Sequence, residues 1–523
     1  MRVRKGTNNF LNYTTFLIIK LQGVFDDQSR YLSIIFVSLR QTFHNKHQLT
    51  MIKTLLASVM LVSNIGLDWL NSKFETYDKM QKDLHELAEP GYMEYKSAEL
   101  IIKHLEEHGF KVERGVAGMP TAFVATFGEG KPVMAVLAEY DALPGLSQDT
   151  TPKNNPIVEG GYGHGCGHNL IGTTAVSAAV AVSKWLAEGH KGTIRLYGCP
   201  AEEGGGGKTY MVRDGLFNDV DCALSYHPSS KNQILAKSQS AKIGILFDFE
   251  GKTAHAGANP YQGRSALDGV EVMNLIMNVN REHFHPDSRI HYIITNGGEA
   301  PNIVPDKAQV YYYLRHHDSE ILKDLLQRTI AAAEGAAMGT GTNVKYSYIS
   351  GTYNILRNDH LAKIAYRNLE KVGGVKLTDS EKAYVEELAR NSGQYEPVML
   401  SRFETIFPFV EKAVTGGGGS DDTGEVSQVV PLCRIETCTS PVAAHTWGFS
   451  SIVGTTIGTK AMLNAAKTIY LTFVELYNNP KELKKIREEW ESVQGKDYKY
   501  QSLIGNEPPA LEYFRKKAAA SPR

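Results

Sequence analysis

Residues 173–186, Thr-Thr-Ala-Val-Ser-Ala-Ala-Val-Ala-Val-Ser-Lys-Trp-Leu, have almost no polar face. A helix that is apolar all round must be covered all round, so this stretch demands a protein built in layers. The runs on either side supply the partners. Residues 122–127 and 132–138 before it and 193–197 after it are short, apolar, rich in β-branched side chains and bounded by Gly and Pro, as buried strands are. Alternating strand and helix predicts an α/β fold. At 523 residues the chain is long enough for more than one core.

Directly before the apolar helix stands Tyr162-Gly-His-Gly-Cys-Gly-His-Asn-Leu-Ile-Gly172, a glycine-rich turn with a thiol and an imidazole two residues apart. Glycines 163, 165 and 167 allow the backbone to fold tightly enough to aim Cys166 and His168 at one ion. Taken alone, such a turn is more often structural than ligating. Two further elements follow closely: Tyr197-Gly-Cys-Pro-Ala-Glu-Glu-Gly, with adjacent carboxylates at the end of a strand, and Ser225-Tyr226-His227-Pro228. Open α/β sheets place their chemistry at such strand ends.

The remaining chain divides into five parts. Residues 1–66 hold two short, interrupted apolar runs, followed by Met51-Ile-Lys-Thr-Leu-Leu-Ala-Ser-Val-Met-Leu-Val62, which has the outline of a signal peptide. Translation from Met51 would imply export to the periplasm; otherwise the expected location is cytoplasmic. Five scattered cysteines (166, 199, 222, 433 and 438) give no disulfide framework. Residues 67–238 read as the first part of a catalytic domain, opening with helices over 68–89 and 95–108. Residues 239–351 read as a β-α-β-β-α-β insertion of the ferredoxin-like kind, with strands at 242–249, 290–295 and 308–314. Residues 352–480 return to the catalytic domain and end in a long helix over 455–476. The tail, 481–523, reads as surface decoration.

With 56 Lys plus Arg against 57 Asp plus Glu, no net charge favours nucleic acid or a membrane surface. Nor is there a basic stripe with stacked aromatics. The expected ligand is a small molecule.

Eight motifs in order carry a family resemblance: Leu84-His-Glu-Leu-Ala-Glu-Pro-Gly91, Glu139-Tyr-Asp-Ala-Leu-Pro144, His164-Gly-Cys-Gly-His168, Pro200-Ala-Glu-Glu203, Tyr226-His227, Gly251-Lys-Thr-Ala-His-Ala256, Pro301-Asn-Ile-Val-Pro305 and Ala444-His-Thr446. Over residues 70–480 the chain resembles the two-metal aminoacylase and carboxypeptidase family of amidohydrolases. Within it, Gly115-Val-Ala-Gly-Met-Pro-Thr-Ala122, Ala142-Leu-Pro-Gly-Leu-Ser-Gln148 and Cys166-Gly-His-Asn-Leu170 are similar to the p-aminobenzoyl-glutamate hydrolase branch. The resemblance implies a mixed-sheet catalytic domain with an inserted dimerisation or lid domain. It also implies two divalent ions, Mn or Zn, held by Cys166, His168, Glu203, His227 and His445. Glu202 is then the general base and Asp141 a carboxylate that orients the ligands. His164 fits the motif but exceeds the ligand count and reads as structural; Cys199 and Cys222 read as small core residues.

Three residues of the insertion resemble a substrate clamp. His255 is expected to reach across a homodimer interface to the oxyanion, and Asn302 and Arg315 to bind the substrate's carboxylate or amide. Arg315 could equally be an edge salt bridge. The expected activity is hydrolysis of an N-acyl or N-aroyl amino acid, or of a dipeptide. Where many relatives continue the Cys-Gly-His turn with Asp and a later His, this chain has Asn169 and Gly172, so an auxin-conjugate or hippurate-like range does not follow. The competing reading is a non-catalytic or regulatory partner of a related amidohydrolase subunit. An intact Glu202 beside a complete ligand set favours the enzyme.

Overall fold

The computed structural model describes residues 65–412, 414, 416 and 419–520. The signal-like segment at Met51 lies outside them. In chain order the strands are β1 (Lys111–Arg114), β2 (Phe123–Glu129), β3 (Val133–Ala138), β4 (Gly192–Gly198), β5 (Cys222–Ser229), β6 (Gln233–Ile234), β7 (Ala241–Glu250), β8 (Arg289–Asn296), β9 (Lys307–His316), β10 (Asn343–Thr352) and β11 (Leu432–Cys438). Seven of them form one sheet in the order β1-β2-β4-β3-β5-β11-β6. Its middle, β4-β3-β5-β11, is parallel, and β1, β2 and β6 run antiparallel at the margins. Every residue of β3 and β11 is buried; β3 accordingly reads as an unbroken apolar run, whereas β11 carries Arg434, Glu436 and Thr437 into the interior.

The helices used below are α1 (Phe74–Leu87), α2 (Tyr95–Glu107), α3 (His168–Ala187), α4 (Ala266–Val279), α5 (Ser319–Thr340) and α6 (Thr456–Tyr477). The apolar helix α3 packs against α6 on one side and against β3 and β4 on the other, with α1 beside it. It starts five residues earlier than its apolar run, at His168. Gly167 takes a left-handed turn (φ +80°) that caps it, and Pro228 stands so close that a Cβ there would lie 2.8 Å from its Cγ. The first turn of the buried helix is therefore the Cys-Gly-His motif itself.

The second sheet is antiparallel in the order β10-β7-β9-β8, with α4 and α5 on one face. The β-α-β-β-α-β order expected from the sequence is present. Along β9 the even positions Ala308, Val310, Tyr312 and Leu314 are buried toward the helices. Gln309, Tyr311, Tyr313 and Arg315 consequently share the other face.

The tail corrects the reading of residues 481–523 as decoration. Leu503, Ile504 and Phe514 are buried. Phe514 meets Tyr92 edge to face at 5.1 Å, and Ile504 packs on Gly351, where a Cβ would come within 2.6 Å of its Cγ2. Tyr500 donates a hydrogen bond to the buried carboxyl group of Glu425.

Candidate metal centre

The parallel strands deliver the site at their carboxyl ends. β3 runs into Glu139 and Asp141, β4 into Glu202 and Glu203, β5 carries His227 two residues from its end, and β11 leads to His445. Cys166 and His168 come from the turn that opens α3. Two residues here hold left-handed backbone without being glycine: Ala201 (φ +56°), next to Glu202, and His445 (φ +62°). Local strain of this kind persists where surrounding contacts impose it. For Ala201 the buried Glu94 accepts its N–H at 2.8 Å, and for His445 the Gly165 carbonyl does so at 2.7 Å.

Four donor triads result, each with its ligand atoms within 4.8 Å of one another; two contain the thiol, Cys166 with His168 and His227 and Cys166 with Glu203 and His445, and the others are Glu139 with His168 and Glu202 and Glu139 with Asp421 and Asp422. Cys166 joins the first two. Its Sγ is 3.4 Å from His227 Nε2, and Glu203 Oε1 is 3.1 Å from His445 Nε2. Asp141 braces both thiol-containing triads, accepting from His168 Nδ1 at 2.9 Å on one oxygen and from the Glu203 N–H at 2.9 Å on the other. With Nδ1 so engaged, His168 presents Nε2, which is buried and has no hydrogen-bond partner. That orphaned atom beside a thiol, imidazoles and a carboxylate is what a borderline divalent cation fits.

The charges fit a cation as well. Burial, then Glu203, Asp421, Glu139 and Asp422, pushes the Glu202 carboxyl well above the usual range. Burial also raises the Cys166 thiol, and Glu203 adds to this. Both groups need positive charge beside them to ionise. Burial lowers His227, with Arg434 acting in the same direction, so its imidazole is in the neutral, ligating form. Burial alone would raise Asp141, but His168 outweighs it and holds the carboxyl low. His164 is no part of the cluster. It is buried, contacts the Leu84 carbonyl at 2.9 Å through Nε2, and is lowered to about 3 by burial and then by His85.

The three clamp residues separate. Arg315 faces the site: its Nη1 donates to Ser420 Oγ at 3.0 Å, and the Glu202 charge bears on it against the lowering effect of burial. His255 and Asn302 are exposed and neighbour each other, since the Asn302 carbonyl accepts from the Ala256 N–H at 3.0 Å. No contact joins either of them to the metal cluster within this chain, among the described residues.

Sequence reasoning missed a buried layer of charge beneath the cluster. Lys208 donates to Glu139 and to Asp422, and Arg434 donates to Asp421 at 2.6 Å and to Glu436 at 3.2 Å. Glu139 Oε2 in turn lies 3.5 Å from His168 Nε2. Glu139 was within reach, two residues before Asp141 in one of the eight ordered motifs. Asp421 and Asp422 sit behind a glycine cluster and carry no spacing signal.

A mixed α/β sheet with a thiol, three imidazoles and a carboxylate gathered at its strand ends defines a metal-site hydrolase. Residues 135–402 match the model of peptidase family M20/M25/M40. The chain is 37% identical over 455 residues to a subunit of the p-aminobenzoyl-glutamate hydrolase of Escherichia coli, covering 82% of this chain and 94% of that one. It is 28% identical over 385 residues to Xaa-Arg dipeptidase of Mus musculus, covering 71% and 78%. In fold it resembles the crystal structure of aminobenzoyl-glutamate utilization protein from Klebsiella pneumoniae, with a TM-score of 0.56, 17% identity, and 77% of this chain and 97% of that one covered. The chain belongs to peptidase family M20/M25/M40, and it is a hydrolase.

Proposed function

We propose that this protein hydrolyses the amide bond of an N-acyl amino acid, above all an N-aroyl one of the p-aminobenzoyl-glutamate kind, or of a dipeptide. The observation that carries this is the pair of donor triads sharing Cys166 Sγ, with the Glu202 carboxylate 3.8 Å from His168 Nε2 and outside both. Cys166, His168 and His227 would hold one divalent ion and Cys166, Glu203 and His445 the other, Mn or Zn by the softness of the donors. When bound, such a pair polarises an amide carbonyl and lowers the pKa of water. Asp141 keeps His168 and Glu203 in register. Glu202 takes a proton from the attacking water at a carboxylate oxygen and passes it to the departing amine nitrogen. Arg315, on the same side as Glu202, pairs with the substrate's carboxylate.

His255 and Asn302 enter this reading from a second copy of the chain. Among the described residues the edge strand β8 is paired on one side only, and Ile293 on it is 62% exposed; Leu275 and Val279 on α4 are 61% and 60% exposed. Pairing two such edges would cover those side chains and carry His255 of one copy toward the other's cluster. A related chain is the second candidate for that place, because the relative from Escherichia coli is itself named as a subunit. The cytoplasm is the proposed location, supported by five cysteines that are all buried and free.

Metal analysis combined with a panel of N-acyl amino acids tests the reading. Up to two ions per chain and EDTA-sensitive hydrolysis are expected. Full activity in rigorously metal-free protein would overturn it.

A further inference from the structure

The open face of the second sheet is roofed by the tail. Residues 507–517 lie over it and leave an open cavity of 1230 Å³ between Tyr311, Tyr313 and Tyr348 on the sheet and Pro509, Leu511 and Tyr513 on the tail. Its sheet wall offers ring faces, while the tail also brings charged side chains to the rim, Glu512 and Arg515 paired with each other and Lys516 beside them. Tyr311 and Tyr313 meet edge to face at 5.1 Å, and Tyr513 closes on Tyr311 at 5.9 Å.

One of the cavity's lining residues, Tyr313 of β9, reaches the loop that carries Glu202 and Glu203. Tyr313 Oη stands 3.4 Å from where a Cβ on Gly204 would be, and Gly204 follows Glu203 directly. Arg315 is the next residue on the same face, about 7 Å along the strand, and it feels the Glu202 charge. A ligand with its carboxylate at Arg315 and its scissile amide over Cys166 and Glu202 therefore has a tyrosine-lined recess alongside it. The phenol rings supply flat, polarisable surface with positive edges, which suits an aromatic ring better than an alkyl chain. The volume exceeds the roughly 300 Å³ at the lower end of small-molecule pockets, so it accepts a ring with a substituent.

We infer that this recess is the subsite for the aromatic acyl group of the substrate, and that the tail segment 507–517 is its specificity-determining wall. The inference rests on the proposed amide-hydrolase reading and narrows it to N-aroyl amino acids.

The test uses the full-length, metal-loaded protein with two substrates that share their amino acid, N-(4-aminobenzoyl)-glutamate and N-acetyl-glutamate. Tyr513→Ala and Tyr348→Leu should each lower kcat/KM for the aroyl substrate about tenfold, what one aromatic contact is worth, and leave the acetyl substrate unchanged. Equal losses on both substrates, or no loss on either, would overturn the subsite. Because Tyr513 neighbours the buried Phe514, thermal melting checks that its variant is folded, and Tyr348→Leu stands independently of it. Calorimetric binding of the same two compounds to Glu202→Gln protein separates the two readings. If the parent cleaves no amide but still prefers the aroyl compound, and the tyrosine variants lose that preference, hydrolysis fails and the subsite stands. Absence of any preference sinks the subsite whatever the activity.

Discussion

Lys208 Nζ lies 2.6 Å from Glu139 Oε1, and neither side chain reaches solvent. The ammonium also contacts Asp422, so one buried cation bridges two buried carboxyl groups, and Glu139 is in turn a neighbour of His168. Removing one partner of a buried set leaves charge uncompensated and costs roughly 3–5 kcal/mol. Lys208→Met should therefore lower the unfolding free energy obtained from denaturant melts by about that much, and the midpoint with it. A midpoint within experimental error of the parent's would show that the lysine carries no such load.

Glu202→Gln keeps size and hydrogen bonding but cannot accept the water proton. Turnover should fall by roughly 10²- to 10⁴-fold while metal content and substrate affinity hold. Loss of the metals, or a rate near the parent's on the best N-acyl amino acid, refutes the assignment.

Glu203→Gln and His445→Ala should behave differently from that, losing metal and activity together, because both side chains belong to one triad. Metal stoichiometry after dialysis reads the outcome directly. Two ions retained in either variant would remove that residue from the ligand set.

Copies carrying His255→Ala and copies carrying Glu202→Gln should each be inactive and should recover part of the activity when mixed, since one hybrid site then has both groups intact. Verified heterodimers without recovery would place His255 outside its partner's site.

The tail's anchor predicts a pH effect. Burial pushes the Glu425 carboxyl up to about 8, with the Tyr500 hydroxyl pulling the other way, against an ordinary value of 4.5. Between those values the folded chain holds a proton that the unfolded chain has released. The contribution is thus fully present below pH 4.5 and is lost as pH rises through 8. Denaturant midpoints of parent and Glu425→Gln should diverge over that window, the parent falling more steeply. Parallel profiles would rule the group out.

The parts legible in the sequence are those where physics acts locally. β3 and α3 are readable because burial on both faces makes a nearly unbroken apolar run, β4 because its apolar residues are interrupted only by Arg195, and Cys166 and His168 because glycines flag a tight turn. His445 is not readable on its own terms, since an exposed histidine after a strand carries no pattern; only the ordered motifs point to it. Lys208, Asp421, Asp422 and Arg434 are illegible because charged residues read as solvated surface until their partners are known. The tail misleads for a related reason: the pair Leu503-Ile504 and the distant Phe514 form no periodic pattern among their polar neighbours that would show a buried face.

The position of β11 has a consequence for how the protein is made. It is the last strand in the chain, yet it sits between β5 and the short β6. Until Leu432–Cys438 has left the ribosome, β6 has no partner and the sheet ends at β5, with His445 still to come. Closing that gap joins segments more than 200 residues apart, from Ala223 to Leu432, a slow kind of contact to form. A nascent chain therefore carries Cys166, His168 and His227 before it carries His445, and the proposed second metal site can be completed only after most of the protein has been synthesised.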